Sequence, residues 1–150
     1  MATTTPLSLK GRALRLLGAR EHSRAELERK LAQFEEEPGA LAKALDDLQA
    51  KGFINEQRVL ESVLNRRSAK LGTARIRQEL QSKGLAPEAV LDAMEQLRAT
   101  EVERAREVWR KKFGEPATDA SDRAKQMRFL ASRGFGGEAI RRVVTSSEDE

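Results

Sequence analysis

Residues 80–90 read L-Q-S-K-G-L-A-P-E-A-V, and residues 130–140 read L-A-S-R-G-F-G-G-E-A-I. Leu80, Lys83, Gly84, Leu85, Glu88, Ala89 and Val90 fall on Leu130, Arg133, Gly134, Phe135, Glu138, Ala139 and Ile140 when the first string is shifted by 50. Each string reads as the end of one helix, a glycine supplying a left-handed C-cap, and the start of the next helix. Working outward, the same shift lays Ala74 on Ala124. A shift of 49 lays Ala25, Leu27, Leu31, Leu41, Leu45 and Leu48 on Ala74, Ile76, Leu80, Val90, Met94 and Leu97. Leucine at helical spacing correlates with itself in any helical chain. Here the glycine and the basic residue before it stay in register too, which marks a genuine repeat. At one place the register is imperfect. Ile76 falls on Gln126, so the third unit is expected to have slipped or diverged.

The helices can be placed one by one. Leu9, Ala13, Leu14, Leu16 and Leu17 share a face of the first. Ser23-Arg24-Ala25-Glu26 is a capping box opening the second, with a stripe of Leu27, Leu31 and Phe34. Glu35 to Pro38 is expected to start the third, because acids and proline suit a first turn. It ends at Lys51-Gly52-Phe53. Asn55 caps the fourth, with Val59, Leu60, Val63 and Leu64 inward, and Gly72-Thr73 breaks the chain. The fifth carries Ile76 and Leu80, and Ala86-Pro87-Glu88 opens the sixth. Val102, Ala105, Trp109 and Phe113 stripe the seventh, which places Trp109 in a core. Met127 and Leu130 mark the eighth, and Ile140, Val143 and Val144 the ninth. The expected fold is all-α: three tandem three-helix repeats, residues 8–53, 54–99 and 100–144, forming an elongated, curved helical array. A flexible N-terminus (1–7) and an acidic disordered tail (145–150) flank them.

Composition agrees and excludes much. The 150 residues are rich in strong helix formers, with 39% apolar, 35% charged and 4% aromatic residues, too thin a core for a bulky globule. There is no Cys and a single His, His22, so no disulfide, thiolate zinc site, cysteine nucleophile or His-pair metal site can form. No stretch reads as a membrane span or signal peptide, which points to a soluble cytoplasmic protein. No P-loop, GxGxxG or HExxH occurs. Carboxylates such as Glu26 beside Lys30 read as solvated helix-surface pairs. His22 reads as a turn residue with a capping or surface role. No catalytic residue, cofactor or metal is expected.

Charge is more informative. Lys and Arg number 28 against 24 Asp and Glu, but the excess is uneven. From Arg66 to Lys83 there are six basic residues (Arg66, Arg67, Lys70, Arg75, Arg77, Lys83) and one acid, Glu79. From Arg104 to Arg142 there are eleven basic residues and five acids. Lys111, Lys112, Lys125, Arg128 and Arg133 belong to this second stretch. Such clusters suit nucleic-acid phosphates or an acidic protein groove. The aromatics sit at helix ends and in the core stripe, so base-stacking platforms are not indicated. The short helix–helix turns also allow a stand-alone, sequence-independent DNA-binding module of helix-turn-helix type.

Three strings resemble the RecX family. They are Ala13 to Leu17 followed by R-E-H-S-R-A-E-L at 20–27 with Lys30-Leu31, then R-I-R-Q-E-L at 75–80 with Lys83-Gly84-Leu85, then Arg110 to Phe113 and Arg128-Phe129-Leu130 with Arg133-Gly134-Phe135. The resemblance spans roughly residues 10 to 144. It implies tandem three-helix repeats without catalytic residues or cofactor. It further implies a regulator that binds RecA filaments on DNA and mostly inhibits RecA ATPase, strand exchange and co-protease activity in recombination and SOS repair. The expected partners are the RecA filament and, weakly, single- and double-stranded DNA, met by a monomer through the basic residues named above.

Overall fold

A computed structural model describes residues 6–146. Among them are nine α-helices and no strand. They are α1 (Leu9–Ala19), α2 (Arg24–Leu31), α3 (Ala40–Ala50), α4 (Glu56–Arg67), α5 (Thr73–Ser82), α6 (Pro87–Ala99), α7 (Glu101–Lys112), α8 (Ala120–Ser132) and α9 (Gly137–Ser146). The all-α expectation holds. Of the expected flexible start and acidic tail, residues 1–5 and 147–150 lie outside the described residues, and α9 runs past Val144 to Ser146. The chain divides into two compact units. One comprises the residues up to Ser62 with Lys83–Leu85, the other Val63–Ser82 with the residues from Ala86 on.

In the first unit α1, α2 and α3 pack around Ala13, Leu27, Leu31, Leu41, Leu45, Leu48 and Ile54. Ser8 caps α1 by accepting from the Gly11 N–H at 3.0 Å. The Ser23–Glu26 capping box forms in full. Two expectations shift. The α2 stripe stops at Leu31, because the chain tightens into a 3-10 turn at Ala32–Phe34 and turns Phe34 out to solvent. The third helix starts at Ala40 instead of within Glu35 to Pro38. Gly39 turns the chain in the left-handed region, and the Glu35 carboxylate accepts from the Leu41 N–H at 2.7 Å. The acidic run thus caps α3 from outside.

In the second unit α7, α8 and α9 enclose Ala105, Trp109, Leu130, Phe135, Ala139, Ile140, Val143 and Val144. Val102, Val108, Phe113, Met127 and Phe129 pack half-buried against them. Ile76 and Leu80 of α5, and Val90, Ala93, Met94 and Leu97 of α6, are buried as well. Gln126 explains the imperfect register. It is as buried as Ile76, so the third repeat has not slipped. Its Oε1 accepts from the Trp109 indole N–H at 2.8 Å, and its amide donates to the Glu115 carbonyl at 3.2 Å. A buried indole needs an acceptor, and Gln126 replaces an apolar residue to supply one.

The repeat is expressed most sharply in two joints built alike. In the first unit the Ser23 hydroxyl donates to the Lys83 carbonyl at 2.6 Å, and Lys83 Nζ donates to Glu26 Oε1 at 3.1 Å. A Cβ on Gly84 would come within 2.8 Å of the Ala25 Cβ. In the second unit the Gly72 N–H donates to the Arg133 carbonyl at 2.8 Å, and the Ala74 N–H to the Gly134 carbonyl at 3.3 Å. A Cβ on Gly72 would run into the Gly134 carbonyl, and one on Gly134 into Arg75. A shift of 49 takes Ser23, Ala25 and Glu26 to Gly72, Ala74 and Arg75. A shift of 50 takes Lys83-Gly84 to Arg133-Gly134. The second joint is locked from α7. Arg104 donates to the Ser68, Leu71 and Leu97 carbonyls at 3.0, 2.7 and 2.9 Å. Glu101 Oε1 accepts from the Thr73 and Gly136 N–H groups at 3.2 and 3.3 Å, serving the starts of α5 and α9 together. Burial pulls the Arg104 pKa down while Glu101 holds it up.

Two predictions follow from the joints. Gly134 has φ +92° and no room for a side chain, whereas Gly137 has open space around its Cα. Gly134→Ala should cost more than ~2 kcal/mol in urea unfolding, while Gly137→Ala should be neutral or gain about 0.5 kcal/mol. Glu26 gives a pH signature. Burial opposes its charge, but hydrogen bonds from Arg20, the Ser23 N–H and Lys83 outweigh burial and bring its pKa from 4.5 to about 2. A carboxylate with a depressed folded pKa stabilises above its unfolded pKa, and that stability is lost as pH falls through the folded value. Glu26→Gln should therefore be less stable than the parent at pH 7. The difference should shrink between pH 4.5 and 2, as measured by urea unfolding along a pH series.

Candidate functional site

Basic residues at helix C-termini are favoured by the helix dipole, and α4 and α7 end in them, while α8 has one as its C-cap. α4 closes with Arg66 and Arg67 and leads to Lys70, α7 closes with Arg110, Lys111 and Lys112, and α8 is followed by Arg133. Lys70, Lys111, Lys112 and Arg133 meet around one groove of about 370 Å³, whose apolar lining is Ala69, Val108 and Phe129. The Phe129 ring organises it. Arg133 lies over the ring at 4.9 Å from its centroid and Lys112 at 5.3 Å, and Phe113 meets it edge-on at 5.5 Å. Such contacts hold long cationic side chains over apolar surface without neutralising them.

All four rim cations are exposed, and among the described residues none has a carboxylate within ion-pair distance. Several cations elsewhere on the surface are paired. Arg24 pairs with Asp46 and Glu28, Arg58 with Glu21, Arg110 with Glu107 and Arg142 with Glu138. The two joints show the same contrast at one repeat position. Lys83 is buried and neutralised by Glu26, whereas its counterpart Arg133 is exposed, and the counterpart of Glu26 is another cation, Arg75.

The structure separates the sequence candidates. It brings together Lys70, Lys111, Lys112 and Arg133. Lys83 leaves the exposed set, because its ammonium is committed to the Glu26 carboxylate inside the first unit. Arg75 donates to the Ser132 carbonyl at 2.8 Å, and Arg67 faces Glu79 at 3.5 Å. Arg66, Arg77, Lys125 and Arg128 are exposed but do not line the groove. Two other expectations change. Glu26 is no solvated partner of Lys30; it is buried between Arg20 and Lys83. His22 is buried, with Nδ1 3.0 Å from the Arg20 carbonyl and Nε2 3.0 Å from Lys30 Nζ. Burial lowers its pKa, and a neutral ring donating through Nδ1 and accepting at Nε2 satisfies both contacts.

Sequence reasoning missed Phe129 and Val108. Phe129 enters the sequence reading only within the Arg128-Phe129-Leu130 string, and both side chains pack half-buried against the α7–α9 core while also lining the groove. Among the described residues no group of three or more His, Cys, Asp or Glu converges on a metal position. No helix is long and apolar enough to cross a membrane among those residues.

Comparison with known proteins accords with this geometry. Sequence models of the first, second and third RecX three-helix domains match residues 10–48, 55–94 and 99–144. The regulatory protein RecX of Leptothrix cholodnii is 54% identical, over 100% of this chain and 96% of its own length. That of Herminiimonas arsenicoxydans is 49% identical over 95% of each chain. The crystal structure of RecX from Lactobacillus salivarius shares the fold with a TM-score of 0.78 at 20% identity, covering 95% of this chain and 96% of that one. Tandem three-helix repeats, a joint built twice and full-length likeness to regulatory proteins lead to one conclusion: the chain belongs to the RecX family.

Proposed function

We propose that this protein regulates RecA: it binds RecA–DNA filaments in the cytoplasm and lowers RecA ATPase, strand exchange and co-protease activity. The carrying observation is the groove of the second unit, where four cations gather around an apolar strip with no carboxylate among its described lining residues. Charge left unneutralised on a folded surface favours an acidic partner, steering encounter and fixing register. Full-length likeness to proteins named regulatory protein RecX supports the same reading. Lys70, Lys111, Lys112 and Arg133 are the principal contacts in this reading, with Arg66, Arg75, Arg77, Lys125 and Arg128 as exposed secondary ones. A monomer engaging neighbouring RecA protomers opposes the movements coupled to hydrolysis. No chemistry by the regulator itself is required.

The test is RecA-dependent ATP hydrolysis on single-stranded DNA with purified protein added. The parent should lower the steady-state rate. Lys111→Glu with Lys112→Glu should raise the concentration needed for half-inhibition by at least about tenfold. Lys43→Glu, on the exposed side of α3 in the first unit, should leave it unchanged. Inhibition absent at every stoichiometry overturns the proposal. Tight, salt-steep DNA binding without RecA would favour a stand-alone DNA-binding module instead.

A further inference from the structure

We infer that the Phe129 groove is a receptor for an acidic peptide segment carrying one large apolar side chain, with the apolar side chain on the floor and carboxylates on the rim. This deepens the proposed function and rests on its reading of this face as a protein-binding surface.

Three observations carry it. First, four exposed cations converge on one groove and none has a carboxylate partner among the described residues, whereas Arg24, Arg58 and Arg142 elsewhere are ion-paired. Second, the two joints show what this position takes when it is filled internally. At the first joint a carboxylate, Glu26, sits against Lys83. At the second, Arg75 stands where Glu26 would be, so the chain supplies no carboxylate to Arg133 at this position and leaves it open to one from another molecule. Third, the floor is apolar, with Val108 and the Phe129 ring, and the groove volume of about 370 Å³ lies within the range of specific ligand sites.

Nucleic acid fits less well. Phosphates need charge and gain nothing from an apolar floor. An acidic peptide with an apolar anchor uses both parts: carboxylates meet preorganised cations, and the anchor displaces water from the floor.

The experiment keeps the protein intact and varies the ligand. Fluorescein-labelled seven-residue peptides of Asp and Glu, one with a central Phe and one with a central Ser, are titrated by anisotropy at two salt concentrations. Labelled single-stranded oligothymidylate is the third probe. The expected result is at least tenfold tighter binding of the Phe peptide than of the Ser peptide, weakening with salt. Lys111→Glu with Lys112→Glu should reduce Phe-peptide binding at least tenfold. Because these residues are exposed, a circular dichroism melt should show the variant folded like the parent. Equal binding of the two peptides overturns the inference, since charge alone then explains the surface. So does binding of neither peptide, or tighter binding of oligothymidylate that falls by the same factor in the double variant. A protein that binds the Phe peptide but fails to inhibit RecA leaves this inference standing and overturns the proposed function.

Discussion

The second unit depends on backbone meeting backbone at Gly72 and Gly134. The N-terminus of α5 donates directly to carbonyls of the turn after α8, and neither glycine has room for a side chain at the contact. Everything basic around the groove is placed by this approach. Arg133 is held at the mouth of the turn, Lys70 lies just before Gly72, and α7, which carries Lys111 and Lys112, is tied by Glu101 to the turn after α8 and by Arg104 to the turn before α5. A close contact between main chains leaves little freedom of angle, so the cations are delivered to one groove by geometry and not by their own flexibility.

The same joint at the first repeat position does different work. There a serine hydroxyl stands in for the glycine N–H, and a buried ion pair, Glu26 with Lys83, closes the contact. Burying such a pair costs desolvation, repaid here by Arg20 and the Ser23 N–H on the same carboxylate. The joint thus carries its own carboxylate, shared by Lys83 and Arg20. Its counterpart keeps the backbone scheme and exchanges the acid for Arg75, which leaves Arg133 exposed. One scaffold supports a closed structural joint and an open, charged one. The difference lies in a single acidic position.

Much of this was legible beforehand. The Ser23 capping box, the Asn55 cap and the glycine-ended helices are local, depending on residues within a turn of each other, and they form as read. The start of α3 was misread because the Glu35 run caps the helix from the preceding turn, a choice set by how the chain enters and not by propensity. Phe34 was misread because a 3-10 turn breaks the 3.6-residue period. Gln126 looked like a flaw in the repeat, since its reason, the Trp109 indole, lies 17 positions away.

The sequence by itself determined the helices, the 49- and 50-residue repeat, the absence of cysteine chemistry and the concentration of basic charge in the later part of the chain. These follow from side-chain type and short-range spacing. Only the tertiary structure decided which charges are spent and which remain. Lys83 and Arg133 are indistinguishable along the chain, each a basic residue before a glycine, yet a carboxylate distant in sequence and close in space buries one and leaves the other exposed. Neutralisation is a matter of a few ångströms, and only folding sets distances of that size.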